Sequence, residues 1–482
     1  MRDDERPLDL SGAPDEPAPP AWRSHATSPP ATGSHTALSS ATIASLREFV
    51  RHLDSQQRLI RIRKTVEPKF ELAAVLRHVQ RTSNLPVLFE SVRGTPYPVV
   101  SNVCGSFESI GHILGVDTRE VVRRWSALTA DRTWAAPGRP SPVEPIHYEE
   151  VSLPDLPLIT FCEKDAGPYI TAGVILAKDP DTGRPNLSYH RMQVIDATEL
   201  RCRLSTSGDL FRMHAKAEQR GQSLQAAVLI GSSPAVMLAA AATIDPEESE
   251  LDLAERIAGC RLPLRRCGTV DLEVPDGTEI VIEGELLAGV RRPEGPFGEW
   301  MDYYVPVTDN HVFSIRRVTA RPDALYYAVM SGSTEEVALS SVPTSGSIYR
   351  AVRTWVPTVR DVACWPWLQF CVVQLRKQFE GQPRKAILAA FGAEMNRILY
   401  CVAVDEDVDV YDIKDVLWAM ATRCRPDRDI FQIPDVPSFA RDPHQIHWGR
   451  LGIDATAPLA WPVEFERKRV PGDGTIRLED YL

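Results

Sequence analysis

The segment Pro293-Glu294-Gly295-Pro296-Phe297-Gly298-Glu299-Trp300 places two glutamates on either side of a Gly-Pro-Phe-Gly turn. It follows residues 279–286, whose apolar pattern predicts a β-strand. Glycine and proline restrict the backbone of such a turn, which can therefore direct both carboxylates into one cavity. Carboxylates held close together push their pKa values apart, so that one can keep a proton near neutral pH and act as an acid. The alternative is a solvated turn with two surface glutamates.

A second polar segment, Asn186-Leu187-Ser188-Tyr189-His190-Arg191, opens another predicted strand. An asparagine oxygen suits a hard divalent cation, and an arginine suits a carboxylate or a phosphate. Because side chains alternate along a regular strand, Asn186 and Arg191 share one site only if the chain bends between them. The alternative is a row of polar residues on an exposed strand.

Two acidic runs and one histidine pair are further candidates. The run Asp245-Pro246-Glu247-Glu248-Ser249-Glu250 is typical of a solvated helix start, but it could also lend one carboxylate to a metal. Asp405-Glu406-Asp407-Val408-Asp409 is a candidate carboxylate cluster, although it lacks the glycine of a calcium-binding EF-hand loop. His444-Gln445-Ile446-His447 is predicted to be a loop and not a metal pair.

The composition excludes several classes of protein. The 482-residue chain carries 54 Lys and Arg against 65 Asp and Glu, a net charge of −11, which argues against a general nucleic-acid binder. Nine cysteines are scattered singly without a CxxC pair, which favours reduced thiols and a cytoplasmic location. Residues 221–244 are uncharged, but a Gly-Ser-Ser-Pro break predicts a buried strand, a turn and a second buried segment, not a membrane span.

Composition and periodicity divide the chain into four parts. Residues 1–42 are rich in proline and serine and are predicted to be a disordered head. An α/β domain at 43–135 is followed by a β-rich domain at 136–335 and a second α/β domain at 336–482. Helices are predicted at 43–53, 72–79, 210–220, 248–258, 385–397 and 413–422. Strands are predicted at 59–62, 87–89, 99–103, 169–177, 187–196, 200–204, 224–230, 279–286, 311–318, 325–330, 370–375 and 398–404.

Taken together, these segments resemble the UbiD family of reversible decarboxylases. The likeness rests on Asn-x4-Arg at 186–191, on Glu250 and on Glu-Gly-Pro-Phe-Gly-Glu at 294–299. Three other stretches agree in order, namely EKDAGPYIT at 163–171, VDEDVDVYDIKDVLWAMATR at 404–423 and GIDAT at 452–456. The likeness extends from about residue 43 to the end of the chain.

The resemblance implies an α+β fold and a flavin cofactor. In this family a central split β-barrel, related to flavin reductases, binds prenylated FMN and is flanked by N-terminal and C-terminal α/β domains. A separate flavin prenyltransferase supplies the cofactor. A divalent Mn or Mg holds its phosphate, with a potassium-type ion nearby. The C-terminal domain typically forms a homodimer or a higher homo-oligomer.

The resemblance also assigns roles to individual residues. Arg191, Glu294 and Glu299 match the catalytic trio, in which Arg191 binds the substrate carboxylate, Glu294 holds Arg191 and Glu299 delivers a proton. We expect Glu294 to pair with Arg191 and Glu299 to remain unpaired in a dry pocket. Ser188 and Tyr189, together with Arg191, match positions that contact the flavin.

The metal site departs from the family pattern. Asn186 and Glu250 match metal ligands, but Asp209 stands where many members have a histidine. Aspartate is a good ligand for Mn or Mg, so Asp209 is the expected third ligand, with His214 as a second candidate. The segment after Glu299 also departs, and a family lysine near the flavin has no clear match, Arg397 being the nearest cation. These changes predict a diverged substrate pocket.

The sequence thus predicts non-oxidative decarboxylation of an α,β-unsaturated carboxylic acid through a prenylated-FMN adduct. Loss of CO2 from such a carbon needs an electron sink that no side chain provides. Antibiotic biosynthesis is the expected context, as a polyketide tailoring step of the tautomycetin-pathway type. Two alternatives stay open, namely a non-catalytic flavin-binding or scaffold subunit, and a hydrolase that uses Glu294 and Glu299 as a carboxylate pair without a cofactor.

Overall fold

The computed structural model describes residues 38–134, 146–245, 247–437, 447–460, 463–468, 470–471, 476 and 480–481. Residues 35–471 cluster as one unit. The other unit, 1–34 with 472–482, is described only at 476 and 480–481. The predicted head up to residue 37, most of the linker and residues 444–446 of the predicted histidine loop lie outside the described residues.

Residues 38–134 form helices packed on a short sheet. Ser45 precedes the second helix, and its side chain accepts a hydrogen bond from the backbone N–H of Glu48, as their spacing predicts. The sheet has the order β1-β2-β3-β17, and its last strand, β17 (Tyr326–Tyr327), comes from much later in the chain. The other elements are α1 (Ser40–Ile43), α2 (Leu46–Ser55), β1 (Ile60–Ile62), α3 (Glu71–Thr82), β2 (Val87–Phe89), β3 (Val99–Ser101), α4 (Phe107–Leu114) and α5 (Val121–Ala130).

Residues 146–320 form a large antiparallel sheet with helices on it. Its strand order is β5-β8-β9-β16-β13-β10-β6-β7, and β4 pairs with β16. The first elements are β4 (Glu149–Glu150), β5 (Tyr169–Ile170), β6 (Val174–Lys178), β7 (Pro185–Tyr189), β8 (Met192–Val194), β9 (Glu199–Cys202), α6 (Asp209–Gln219) and β10 (Leu224–Ile230). The rest are α7 (Pro234–Ala240), α8 (Glu250–Ala258), β11 (Leu264–Arg266), β12 (Glu273–Pro275), β13 (Ile280–Glu294), β14 (Phe297–Gly298), β15 (Tyr304–Val305) and β16 (Thr308–Ala320).

The connection between β7 and β8 shows that this sheet is curled. The two strands lie near opposite ends of the strand order, yet only His190 and Arg191 separate them in sequence. A flat sheet of this width would keep its ends several strand spacings of about 4.8 Å apart, so the sheet must curl until its ends approach each other. The strand predicted at 187–196 is therefore two strands, and the chain bends between them at His190 and Arg191.

Residues 334–455 form a third layered region. Its sheet has the order β18-β19-β20-β22-β21, with β19, β20 and β22 parallel. Helix α9 covers it and was not predicted, because its apolar residues lie all round the helix and Pro343 interrupts the pattern. The elements are α9 (Thr334–Trp355), β18 (Val359–Ala363), β19 (Phe370–Leu375), α10 (Gln382–Ala393), β20 (Tyr400–Val404), α11 (Ile413–Arg423), β21 (Ile430–Pro437) and β22 (His447–Ala455).

The structure thus has a mixed α+β fold with a curled antiparallel half-barrel at its centre. Most predicted elements are present, with shifted ends. The strand predicted at 169–177 is interrupted at Gly173, where an added Cβ would lie 2.3 Å from Met192, and the one predicted at 325–330 shrinks to β17. Sequence reasoning missed the helices α1, α4, α5, α7 and α9 and the strands β4, β11, β12, β14, β15, β18, β21 and β22. None of the described helices is both long and apolar enough to span a membrane.

Candidate active site

The Gly-Pro-Phe-Gly segment leads from β13, which ends at Glu294, through the short strand β14 to Glu299. Glu294 is the last residue of β13 and lies opposite Thr308 of β16. Gly295 has φ +98°, a backbone conformation that side chains disfavour, and it turns the chain into β14. β14 pairs with β15, and Glu299 follows it directly. Both glutamate side chains are buried, so the solvated-turn alternative is wrong.

Asp165 ties this turn to the preceding part of the sheet. Its carboxylate accepts the backbone N–H of Gly298 at 2.9 Å and that of Cys162 at 2.8 Å. The N–H of Ala166 donates to the carbonyl of Pro296 at 2.9 Å. Burial raises the pKa of Asp165 above its ordinary value. The Asp-Ala-Gly-Pro-Tyr segment therefore fixes the position of the turn.

Arg191 lies between the two glutamates and pairs with both. Its Nε and Nη2 donate to the two oxygens of Glu294 at 3.0 and 2.9 Å. Its Nη1 donates to Oε1 of Glu299. Burial alone would lower the pKa of Arg191, but the hydrogen bond to Glu294 and the two negative charges raise it above its ordinary value. The prediction that Glu299 remains unpaired is therefore wrong, because the bend at residues 190–191 puts the guanidinium within reach of both carboxylates.

Glu294 has two further donors that sequence reasoning missed. The hydroxyl of Tyr169 donates to Oε1 at 3.0 Å, and the amide of Asn310 donates to Oε2 at 2.9 Å. Burial, followed by the charge of Glu294, raises the pKa of Tyr169. The ring of Phe297 lies 4.8 Å from the Arg191 guanidinium, a cation–π contact. Tyr169 stands within the EKDAGPYIT segment, whose order in the chain gives it no role, whereas Asn310 has no motif around it.

Asn186 and Glu250 form a separate buried cluster. The Asn186 amide donates to both oxygens of Glu250 at 3.2 and 3.1 Å, and the N–H of Leu187 donates to the second oxygen at 3.0 Å. Burial raises the pKa of Glu250 to about 7, and the charge of nearby Asp209 adds to the effect. No cation of the described residues forms an ion pair with Glu250. A buried carboxylate without a counter-charge, beside an amide and a second carboxylate, is a donor set that fits Mn or Mg.

His214 lies outside this cluster. Its Nε2 donates to the carbonyl of Leu287 at 3.2 Å, and its Nδ1 lies 3.5 Å from Glu218. Burial lowers its pKa. One nitrogen of His214 thus binds a carbonyl and the other faces Glu218, while Asp209, which acts electrostatically on Glu250, forms an ion pair with Arg212. In the part of the chain that the structure describes, no three His, Cys, Asp or Glu side chains form a metal-binding group.

A cleft opens beside Arg191 and Glu299, and its empty volume of about 690 Å³ includes the part that is open to solvent. Tyr189 and Arg203 line it, and the buried Tyr189 hydroxyl has no hydrogen-bond partner. Burial raises the pKa of Tyr189 well above its ordinary value. Ser188 lies 2.9 Å from Nε2 of His190, another cleft residue. The charged and polar side chains that line the cleft, among them Arg191, Arg203 and His190, suit an anionic or polar ligand.

A second pocket adjoins the cleft, since Trp300 and Glu336 line both. Val337 and Leu368 make part of its wall apolar. Arg397, the expected replacement for the family lysine, lines this second pocket and donates to the Thr344 hydroxyl at 3.1 Å.

The other acidic candidates have structural partners. Asp245 forms an ion pair with Arg132 at 2.9 Å. Asp405 and Asp407 both bind Arg423, at 2.8 and 2.7 Å. The run at 405–409 is therefore neutralised by an arginine and is not the carboxylate cluster for a metal that it resembles in sequence. Of the run at 245–250, Glu250 alone joins Asn186.

Sequence comparison places this fold and site among the carboxy-lyases. The sequence pattern of 3-octaprenyl-4-hydroxybenzoate carboxy-lyase matches in three consecutive parts, the N-terminal domain at 50–129, the Rift-related domain at 137–334 and the C-terminal domain at 338–455. The anhydromevalonate phosphate decarboxylase of Methanothermobacter thermautotrophicus is 36% identical over 417 residues, 83% of this chain and 95% of that protein. The Methanosarcina mazei protein of the same name is 32% identical over 88% of this chain and 99% of its own length.

Solved structures agree. The UbiD-class enzyme HmfF from Pelotomaculum thermopropionicum, in complex with FMN, has a TM-score of 0.84 and 37% identity over 91% of this chain and 100% of that chain. An evolved dimeric form of HmfF in complex with prFMN has a TM-score of 0.82 and 36% identity over the same shares of the two chains. The chain belongs to the UbiD family and is a UbiD-type carboxy-lyase. This membership removes the support for the hydrolase alternative.

Proposed function

We propose that the protein decarboxylates an α,β-unsaturated carboxylic acid with prenylated FMN as cofactor. The observation that carries the proposal is the Arg191 guanidinium held between two buried glutamates at the edge of a cleft. The prFMN complex of the HmfF variant and the resemblance to the UbiD family support the choice of cofactor. Prenylated FMN, when bound, supplies the sink for the electron pair that departing CO2 leaves behind.

Arg191, Glu294 and Glu299 have different roles in the proposed reaction. Arg191 binds the substrate carboxylate with the N–H groups that its glutamates leave open. Glu294, whose oxygens accept from Arg191, Tyr169 and Asn310, remains an anion and holds the guanidinium in place. Glu299 takes up a proton and delivers it to the carbon that loses CO2. In the structure Glu299 contacts Arg191, so this proton must reach it before or during the step.

The cofactor and its metal fit the residues nearby. Ser188, Tyr189 and Arg191 would contact the flavin, while Asn186, Asp209 and Glu250 would hold a divalent Mn or Mg against its phosphate. A cation between Glu250 and a phosphate dianion removes a repulsion that would otherwise oppose binding. A potassium-type ion near the phosphate and a flavin prenyltransferase as cofactor supplier belong to the same proposal.

The proposed reaction needs an unsaturated carboxylic acid, and this acid is either phosphorylated or less polar. The curated relatives are named for anhydromevalonate phosphate, a phosphorylated acid. The departures at Trp300–Tyr304 and the apolar wall of the adjoining pocket support a different, less polar acid. A polyketide tailoring step stays a prediction from the resemblance.

The test is co-expression of the chain with a flavin prenyltransferase. We expect the purified protein to show the absorption spectrum of a modified flavin and to release CO2 from members of a panel of unsaturated acids. The panel includes polyketide-like alkenoic acids and a phosphorylated acid. A bound flavin without CO2 release from any acid would support the non-catalytic alternative, and absence of bound flavin would contradict the proposal.

A further inference from the structure

The cleft contains a second guanidinium that the roles above leave unused. Arg203 directly follows β9, and its backbone N–H donates to the carbonyl of Arg191 at 3.4 Å. The carbonyl of Arg203 accepts from Nδ1 of His190 at 3.0 Å. These bonds fix Arg203 beside Arg191, and both residues line the cleft.

Arg203 lacks the carboxylate partner that several other partly buried arginines have. Arg47, Arg291 and Arg423 each form an ion pair with a carboxylate at 2.7 or 2.8 Å. Within the described residues, Arg203 forms none. Its Nη1 donates to Oδ1 of Asn310 at a long 3.4 Å, and its buried Nε has no hydrogen-bond partner. Burial of a cation that no carboxylate contacts is costly, which points to an anionic ligand in contact with it.

The net charge of the neighbouring residues also favours a cation at this position. One arginine and two ionised glutamates carry a net charge of −1, and this charge repels an incoming carboxylate. The charges that act on Arg203 are those of Arg191, Glu294 and Glu299, and not those of the Glu250 cluster. Burial and then the positive charge of Arg191 lower the pKa of Arg203. Arg203 is thus the cation that can offset the excess negative charge.

We propose that Arg203 is a second carboxylate-binding residue, which binds the substrate carboxylate together with Arg191 and makes the enzyme select acids over neutral analogues. The proposal rests on the proposed function, because it takes the substrate to be a carboxylic acid. Arg203 would act in specificity and binding, while Arg191 keeps its place between the glutamates.

The test measures binding without turnover. The probes are butanoate, hexanoate and 3-phenylpropanoate, which have no C=C bond to react, each beside its primary amide. Calorimetry on the flavin-loaded protein should show tighter binding of acids than of amides. Arg203→Gln should weaken the acids about tenfold or more and leave the amides unchanged. Arg266→Gln, at an exposed site, is the control and should bind like the native protein.

Arg203→Lys keeps the charge without the planar fork, so the acids should bind about threefold to tenfold more weakly than to the native protein. Circular dichroism and flavin content report whether each variant is folded. If the glutamine variant is unfolded, the binding data of the lysine variant test the proposal. Equal binding of acids and amides by the native protein, or native acid binding by either variant, would overturn the proposal. CO2 release from the unsaturated acids is assayed separately, so acid-selective binding without CO2 would refute the decarboxylation and leave the Arg203 assignment standing.

Discussion

Glu294 and Glu299 are the same residue type, but the structure gives them different surroundings. Glu294 accepts hydrogen bonds from Arg191, Tyr169 and Asn310 on its two oxygens, which suits a lasting anion. Glu299 contacts Arg191 through one oxygen and also lines the cleft where a substrate would enter. The residue that faces the cleft is the better placed to exchange a proton with a ligand.

We therefore predict that Glu299→Gln lowers turnover by about 10²–10⁴-fold, the usual loss for an acid–base group, while substrate binding persists. The measurement is incorporation of solvent deuterium at the carbon that lost CO2. Glu294→Gln should instead raise KM, because it loosens Arg191. Glu285→Gln, on the same strand and paired with Arg316 at 2.7 Å, is the control. Native deuterium exchange in Glu299→Gln would assign the proton to another group.

The cluster of Asn186 and Glu250, with nearby Asp209, gives a second prediction about single residues. Glu250→Ala and Asp209→Ala should each lower the content of bound divalent metal and of flavin, because each removes one of the proposed carboxylate ligands. His214→Ala is the matched comparison and should keep its metal, since its Nε2 is committed to Leu287. Elemental analysis of the purified holoenzymes measures the difference. Loss of metal in His214→Ala with retention in Asp209→Ala would reverse the assignment.

At the scale of elements, Glu335 joins α9 to β3. This fully buried carboxylate accepts the backbone N–H groups of Asn102 at 2.6 Å and Cys104 at 2.8 Å, and the Tyr327 hydroxyl at 2.8 Å. Burial raises its pKa to about 7, against the effect of these donors. It connects helix α9, which supplies cleft residue Glu336, to the end of a strand in the N-terminal sheet.

Glu335→Gln should lower the free energy of unfolding by about 1–3 kcal/mol, because an amide N–H then faces a backbone N–H that has lost its acceptor. The wild type should also show a pH dependence that the variant lacks. The pKa of Glu335 is higher in the folded than in the unfolded state. Protonation of Glu335 therefore adds to the free energy of unfolding in full below about pH 4.5, and this stabilisation is lost as the pH rises through about 7. Denaturant unfolding of both proteins between pH 5 and 8 measures it. Parallel pH profiles would contradict this account.

At the scale of the whole molecule, the first prediction concerns the N-terminal residues. The family match begins at residue 50, and the first described helix, α1 (Ser40–Ile43), has Ser39 as its cap and a buried Ile43. Removal of residues 1–37 should leave the melting temperature and turnover unchanged. Removal through residue 44 should lower the melting temperature, because it deletes α1 and its contact with α8. A fall in the first variant would show that residues 1–37 contribute to the fold.

The second prediction concerns assembly. Trp355 and Leu388 are exposed by 62% and 49%, and Lys385, one turn before Leu388 on α10, lies 5.8 Å from the Trp355 ring. Both apolar side chains are thus exposed on the C-terminal region, where the resemblance predicts a homodimer or a higher oligomer. Light scattering should give a mass of at least a dimer, and Leu388→Asp should shift it towards the monomer. Exposed Leu459→Asp is the control. A monomeric native chain would contradict the prediction.

The sequence by itself determined the local elements and the residue types of the site. Periodicity located strands such as β10 and helices such as α3, since a buried face imposes its period on the chain. It did not reveal α9, which is apolar all round, nor the joining of Tyr326–Tyr327 to the N-terminal sheet, because strand partners distant in sequence leave no local pattern. The resemblance brought Arg191, Glu294 and Glu299 together as a set.

Only the tertiary structure decided which of these residues form ion pairs with one another. The curled sheet brings β7 and β8 together, and the bend between them lets Arg191 reach Glu299 as well as Glu294. The pairing of β8 with β9 puts Arg203 beside Arg191, and among the described residues no cation forms an ion pair with the buried Glu250. Hydrogen bonds and ion pairs depend on distances of a few ångströms between residues a hundred positions apart, and these distances are set when the sheet closes, not by the order of residues along the chain.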